Sequence, residues 1–179
     1  MSRVISGTYT STVSLYSGDS PVTLTASANV SYTGPGFALF ATGTTPWSIT
    51  NSGVISGVGG GGVFIPTGTI VNTGGGSIIA LVDAIRANTG AATVINAGGI
   101  SGGTSGVDLY TGGGVTNSGT IVGGTDGVRL RTGGTVTNRA GGGISGGVSG
   151  ADLYTAGGVT NSGTITGGTQ ALRLITAGR

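Results

Sequence analysis

The word Val-Thr-Asn-Ser-Gly-Thr-Ile occurs twice, at Val115–Ile121 and Val159–Ile165, with looser copies at Ile49–Ile55, Val94–Ile100 and Val136–Ile144. With its asparagine as marker, the repeats fall at Asn51, Asn72, Asn96, Asn117, Asn138 and Asn161, spaced 21, 24, 21, 21 and 23 residues apart. A fixed period of roughly 20–50 residues is the mark of a stacked architecture, and it limits the fold more than any other feature here.

The rest of the unit keeps phase with the marker. An isoleucine stands four residues later at Ile55, Ile100, Ile121 and Ile165, and six later at Ile78 and Ile144. A second apolar pair follows at Val63/Ile65, Val107/Leu109, Val128/Leu130, Ala151/Leu153 and Leu172/Leu174. Each pair alternates apolar, polar, apolar, which is the pattern of a half-buried strand. Gly, Ser, Thr and Asn fill the intervals as turns. One unit is therefore three short strands, too small to bury its own apolar face unless a neighbour covers it. The expected fold is all-β, a parallel β-helix (β-solenoid) with three strands per rung of 21–24 residues and about seven to eight rungs. It forms a single domain over residues 1–179, with irregular N-terminal rungs in 1–44 and regular repeats in 45–179. Asparagine at the marker suits a turn, and stacked amides can bond from rung to rung.

A double period lies within the repeat. Residues 96–137 and 138–179 are near-copies, one with VDLYTGGGVTNSGTI and the other with ADLYTAGGVTNSGTI. The outward residue of the second apolar pair reads Arg86, Asp108, Arg129, Asp152, Arg173 down the stack. This is an alternating charge ladder, expected to contribute ~0.2–1 kcal/mol per contact and to fix register. The next outward column, Tyr110, Arg131, Tyr154, Ile175, offers Tyr110, Arg131 and Tyr154 as a candidate face for a polysaccharide or a cell surface.

The first part of the chain is harder to phase. Val13/Leu15 and Phe37/Leu39 read as the second apolar pair of earlier rungs, Val22 and Leu24 suggest another strand, and Asn29 falls out of phase. Ser77–Ala87 fits a helical spacing through Ile78, Val82 and Ile85. Its alignment with Val128-Arg129-Leu130 selects strand instead.

Composition narrows the function. The 179 residues include 42 Gly, seven Arg and five Asp, with no Cys, His, Lys or Glu, and a net charge of +2. No metal cage, cofactor or histidine-based acid–base chemistry is expected, and seven scattered Arg make no stripe for nucleic acid. Paired-carboxylate hydrolysis needs carboxylates about 5–9.5 Å apart. Asp108 and Asp152 lie two rungs apart with Arg129 between them, so the chain reads as not an enzyme. No stretch approaches the ~18 apolar residues of a membrane span, and Met1–Tyr9 lacks the apolar stretch of a secretion signal.

The words VTNSGTI, VINAGGI and GGTxGVxL resemble the Gly/Asn/Thr-rich repeats of autotransporter passenger domains and related bacterial surface proteins, over about residues 45–179. The resemblance implies a right-handed β-helix on or outside a bacterial cell, serving as adhesin, stalk or biofilm component. It carries no site residue over to this chain.

The ends suggest assembly. Met1–Ile5 aligns with Asn51–Ile55, so the chain begins at a marker, and its last rung stops after Leu172, Leu174 and Ile175 with no capping element in view. Uncapped rungs template association. Val4, Ile5, Val13 and Leu15 at one end, and Ile165, Leu172, Leu174 and Ile175 at the other, are the expected polymer interface. The leading expectation is a structural subunit stacking head to tail with itself into an extracellular filament or matrix fibre. The alternative is a stalk or adhesin segment of a surface autotransporter.

Overall fold

The structure, a computed structural model, describes residues 1–175. The chain winds through eight rungs and builds three parallel sheets of eight strands each. The first sheet runs from Arg3–Ile5 and Val22–Leu24 through Trp47–Asn51 to Gly157–Asn161. The second runs from Thr8–Tyr9 to Thr164–Gly167, and the third from Val13–Leu15 to Gln170–Ile175. Rung 1 thus holds Arg3–Ile5, Thr8–Tyr9 and Val13–Leu15, and rung 8 holds Gly157–Asn161, Thr164–Gly167 and Gln170–Ile175. Every strand pairs in parallel with its counterparts one rung away, at ~4.8 Å per step.

The core is a set of apolar columns. Val22, Ile49, Ile70, Val94, Val115 and Val136 line the inside of the first sheet, and Val30, Ile55, Ile78, Ile100, Ile121 and Ile144 that of the second. On the third sheet Val63/Ile65, Val107/Leu109, Val128/Leu130 and Ala151/Leu153 are all fully buried. Each large side chain contributes ~1.5–3 kcal/mol when buried, and here it is covered by the rungs above and below. Glycine is required at the corner into the first sheet. Gly113 and Gly134 have φ of 127° and 130°, and a Cβ on Gly113 would strike the Ala92 carbonyl.

One early assignment changes, and two segments left loosely placed are resolved. Ile5 pairs with Leu24, which pairs with Asn51, so Ile5 stands at the marker position and not over Ile55. The sequence alignment failed because the corner between Tyr9 and Val13 is four residues shorter than that between Ile55 and Val63, while Tyr9 shares the column of Val30 and Ile55. Asn29, out of phase in the sequence, opens a second-sheet strand opposite Thr8 and Val54. Ser77–Ala87 is strand as expected, in two pieces, Ser77–Ala80 and Asp83–Ala87, turning at Leu81-Val82.

Charge is strongly segregated. Apart from Arg3 in the end rung, no strand of the first or second sheet holds a charged residue. Their outer faces are built from Thr, Ser, Gly, Asn, Val and Ile. All the remaining strand charges lie on the third sheet.

Candidate functional site

The marker asparagines are brought together inside the corner after the first sheet. Asn51 Nδ2 donates to Asn72 Oδ1 at 2.8 Å, and the donation repeats from Asn72 to Asn96, Asn96 to Asn117, Asn117 to Asn138 and Asn138 to Asn161 at 2.8–2.9 Å. Each Nδ2 also reaches corner carbonyls, as Asn117 does to Gly119 and Gly143 at 3.0 and 3.1 Å. Asn51 to Asn138 are buried; Asn161, in the last rung, is exposed. The column is a structural spine with its groups spent within the chain.

On the third sheet Arg86, Asp108, Arg129, Asp152 and Arg173 share one register column. Their bonding is not a simple alternation, however. Arg86 turns along its own strand to Asp83, its Nε donating to Asp83 Oδ2 at 2.9 Å. Asp108 is clamped by two guanidiniums: Arg129 donates at 3.2 and 2.7 Å, Arg131 at 2.9 and 2.8 Å. Asp152 receives Arg173 Nη1 at 3.1 Å. Nor do the acids face solvent, since Asp108 is 0% and Asp152 2% exposed. Alternation of apolar and polar residues marks a position as outward, but it cannot show that arginines of the next rung fold back over it. Burial alone would raise the pKa of Asp108, but the hydrogen bonds from Arg131 and Arg129 outweigh it and hold the carboxyl below the usual range.

A neighbouring column, absent from the sequence reading, runs Asp83, Ser105, Asp126, Ser149 and Gln170. It lies three residues before the charge column, close enough for Arg129 Nη1 to stand 3.7 Å from Asp126. Burial, with the Asp152 carboxylate nearby, pushes the pKa of Asp126 up. Asp83 Oδ1, Ser105 Oγ, Ser149 Oγ and Asp152 Oδ1 are buried in these two columns without a hydrogen-bond partner among the described residues. Polar atoms so placed are suited to ordered water. The signal that marks this column is the two-rung alternation Asp-x-x-Arg and Ser-x-x-Asp.

The candidate binding face is largely self-engaged. The Arg131 guanidinium lies 4.0 Å from the centroid of the Tyr110 ring, and Arg173 lies 5.3 Å from that of Tyr154 while donating to its hydroxyl at 3.3 Å. Ile175 pairs with Tyr154 in the last rung. Toward the N-terminus the charge column becomes aromatic, since Phe40 pairs with Phe64 in register. Those two rings stack at 5.0 Å, and Phe37 lies 5.3 Å from Phe64.

The two ends differ. At the C-terminal rung Leu172 and Leu174 are 39% and 51% exposed, and Ile165 is partly buried. At the N-terminal rung Ile5, Val13 and Leu15 are already buried within the chain, so they do not form an open apolar surface; of the four residues expected there only Val4 is exposed. Arg3 is the reason. Leu15 O accepts from Thr42 N in rung 2, so Ser14 O, one residue back, points to the free edge. Arg3 Nη1 donates to that oxygen at 2.9 Å and to Asp19 Oδ2 at 3.1 Å. Asp19 sits in the short turn Ser17–Asp19, where the Tyr16 backbone N–H, with Arg3, holds its carboxyl below the usual range. Tyr9 packs partly buried against the core from the same end.

No helix among the described residues is long and apolar enough to cross a membrane, and no group of three or more acidic, His or Cys side chains among them is placed to hold a metal ion. No family model, no curated protein and no solved structure matches the chain.

Proposed function

We propose that this chain is a structural solenoid that assembles end to end, the C-terminal rung of one copy seating the N-terminal rung of the next. The observation that carries the reading is the open last rung. Leu174 occupies the column in which Leu109, Leu130 and Leu153 are fully buried, yet it is half exposed. One more rung would bury Leu172, Leu174 and Ile165 and pair the free strand edges, and a non-closing contact of this kind propagates into a filament. At the receiving end the Arg3–Asp19 pair must swing aside, and an exposed ion pair is worth only ~0–1 kcal/mol. The likeness of the repeats to autotransporter passengers suggests an extracellular fibre or matrix as the setting. A second reading, a surface stalk that holds a partner on its flank, is favoured by an apolar pocket beside Phe37.

Electron microscopy of the purified protein tests the first reading. Unbranched fibres with an axial repeat of ~38 Å, eight rungs at ~4.8 Å, are expected. Leu174→Asp should leave soluble monomer with an unchanged β-sheet spectrum. Discrete short rods from the unaltered chain, or fibres from the variant, would refute end-to-end assembly.

A further inference from the structure

Rungs 3 and 4 depart from the rest of the rod on one flank. Where later rungs place Ser101, Val122, Ser145 and Thr166, rung 4 has Ile79; where they place Gly103, Gly124, Gly147 and Gly168, it has Leu81. Ile79, Leu81 and Val82 are 42%, 59% and 38% exposed, and Val54 and Val58 of rung 3 extend the patch. The regular rungs fold with Gly, Ser or Thr at most of these positions, Val122 and Val148 being the exceptions, and none of them carries three aliphatic residues together, so the core does not require the aliphatic set. The protein's own repeats serve as the internal control.

Through Val82 the patch runs into a cavity of about 200 Å³ lined by Gly36, Phe37, Gly60, Gly61, Val82 and Arg86. Phe37 forms one wall, held by its contact with Phe64. It lies so close over Gly61 that a Cβ there would strike the ring. The Arg86 guanidinium stands between the Phe37 and Tyr110 rings, 5.7 and 5.8 Å from their centroids. Its Nε and Nη2 are spent on Asp83, and Nη1 bonds no protein acceptor among the described residues.

We propose that this pocket and the patch leading into it dock a protein segment that presents a large apolar side chain beside a carboxylate. The volume lies below the ~300–1,000 Å³ of sites for drug-sized ligands and fits a single anchoring side chain. The unspent N–H of a fixed cation takes its strongest bond from an oxyanion. Aliphatic residues around that bond exclude water, the arrangement of an interface hot spot. A sugar would stack on open ring faces, but Phe40 and Phe64 present those faces to each other, 19° from parallel.

Saturation-transfer NMR on the full chain, as monomer or as fibre, tests this with three probes: N-acetylphenylalanine, N-acetylphenylalaninamide and glucose. The acid should bind in the millimolar range with transfer strongest at its ring, and the amide about tenfold more weakly. Ile79→Ser/Leu81→Gly/Val82→Thr, which installs the residues of rung 5, should abolish transfer to the acid while thermal unfolding stays within a few degrees. Val82→Thr alone, as Thr104 stands in rung 5, should weaken binding severalfold and serves if the triple variant does not fold. No transfer to the acid, equal binding of acid and amide, or binding of glucose instead would overturn the proposal.

Discussion

Asn96 donates its side-chain amide to Asn117 at 2.8 Å, and Asn117 passes the same bond on to Asn138 at 2.9 Å. Each amide is acceptor to the rung before and donor to the rung after, so the column is only as complete as its weakest member. Asn117→Ala would leave the Asn138 carbonyl oxygen without its donor and take one bond each from the Asn96 amide, which keeps Gly98 O and Thr120 O, and from the Gly119 and Gly143 carbonyls. At ~1–3 kcal/mol for the one buried group left unpaired, with the weaker loss of the shared bonds added, a loss of about 2–3 kcal/mol is expected in urea unfolding. Asn161→Ala, at the exposed end of the column, should cost only about 1 kcal/mol. Equal losses at the two positions would show that the ladder adds nothing beyond local turns.

Asp126 and Asp108 should respond to pH in opposite senses. The pKa of Asp126 is raised in the folded state, so its charge opposes folding once pH rises above the ordinary value of 3.8. Asp126→Asn is therefore expected to raise the melting temperature at pH 7, with the gain shrinking as pH falls through the raised pKa toward 3.8 and vanishing below it. The pKa of Asp108 is lowered, so its charge stabilises the fold above 3.8, and that contribution fades as pH falls through the lowered value. Asp108→Asn leaves Arg129 and Arg131 without their carboxylate and should cost about 3 kcal/mol at pH 7. Melting curves of both variants between pH 2 and 7 check the signs, and a destabilised Asp126→Asn at neutral pH would contradict them.

Arg3→Ala should release the Ser14 carbonyl and open the N-terminal rung. Light scattering is expected to show faster fibre growth than in the unaltered chain, with the difference shrinking at high salt, where the Arg3–Asp19 pair is screened. Slower growth would mean that Arg3 belongs to the joint and does not guard it.

Thr155 has φ of +58°, a left-handed conformation that a β-branched residue adopts at a cost. The corresponding corners of the two preceding rungs place the positive φ on Gly112 and Gly133, where this rung has Ala156. Ala156→Gly lets the corner follow its neighbours' path and should add about 1 kcal/mol of stability by chemical denaturation. A loss of stability would show that the Thr155 conformation has another origin.

The architecture was legible because every rung repeats the same apolar columns. Val63/Ile65 and Val128/Leu130 can be superposed by eye, and the structure pairs them through the intervening rungs. Phase was lost where a corner changed length, as before Val13, since alternation within a strand says nothing about the turn joining it to the next. The interplay of Arg131 with Asp108 was hidden for a related reason. A column in the sequence shows which residues are neighbours along the stack, whereas a long arginine side chain chooses among several. The N-terminal closure by Arg3 and Asp19 had one trace in the sequence: they are the only two charges before Asp83.

The asparagine spine begins at Asn51, leaving Ile5 and Leu24 at the marker position in the first two rungs. Their second-sheet pairing is also the shortest, two residues at Thr8–Tyr9. Under tension along the rod, the load falls on the backbone ladders between rungs, with the amide column as an added tie from rung 3 onward. The rod is therefore mechanically graded: a pull on its two ends should peel rungs 1 and 2 first, while the segment behind Asn51 yields at higher force.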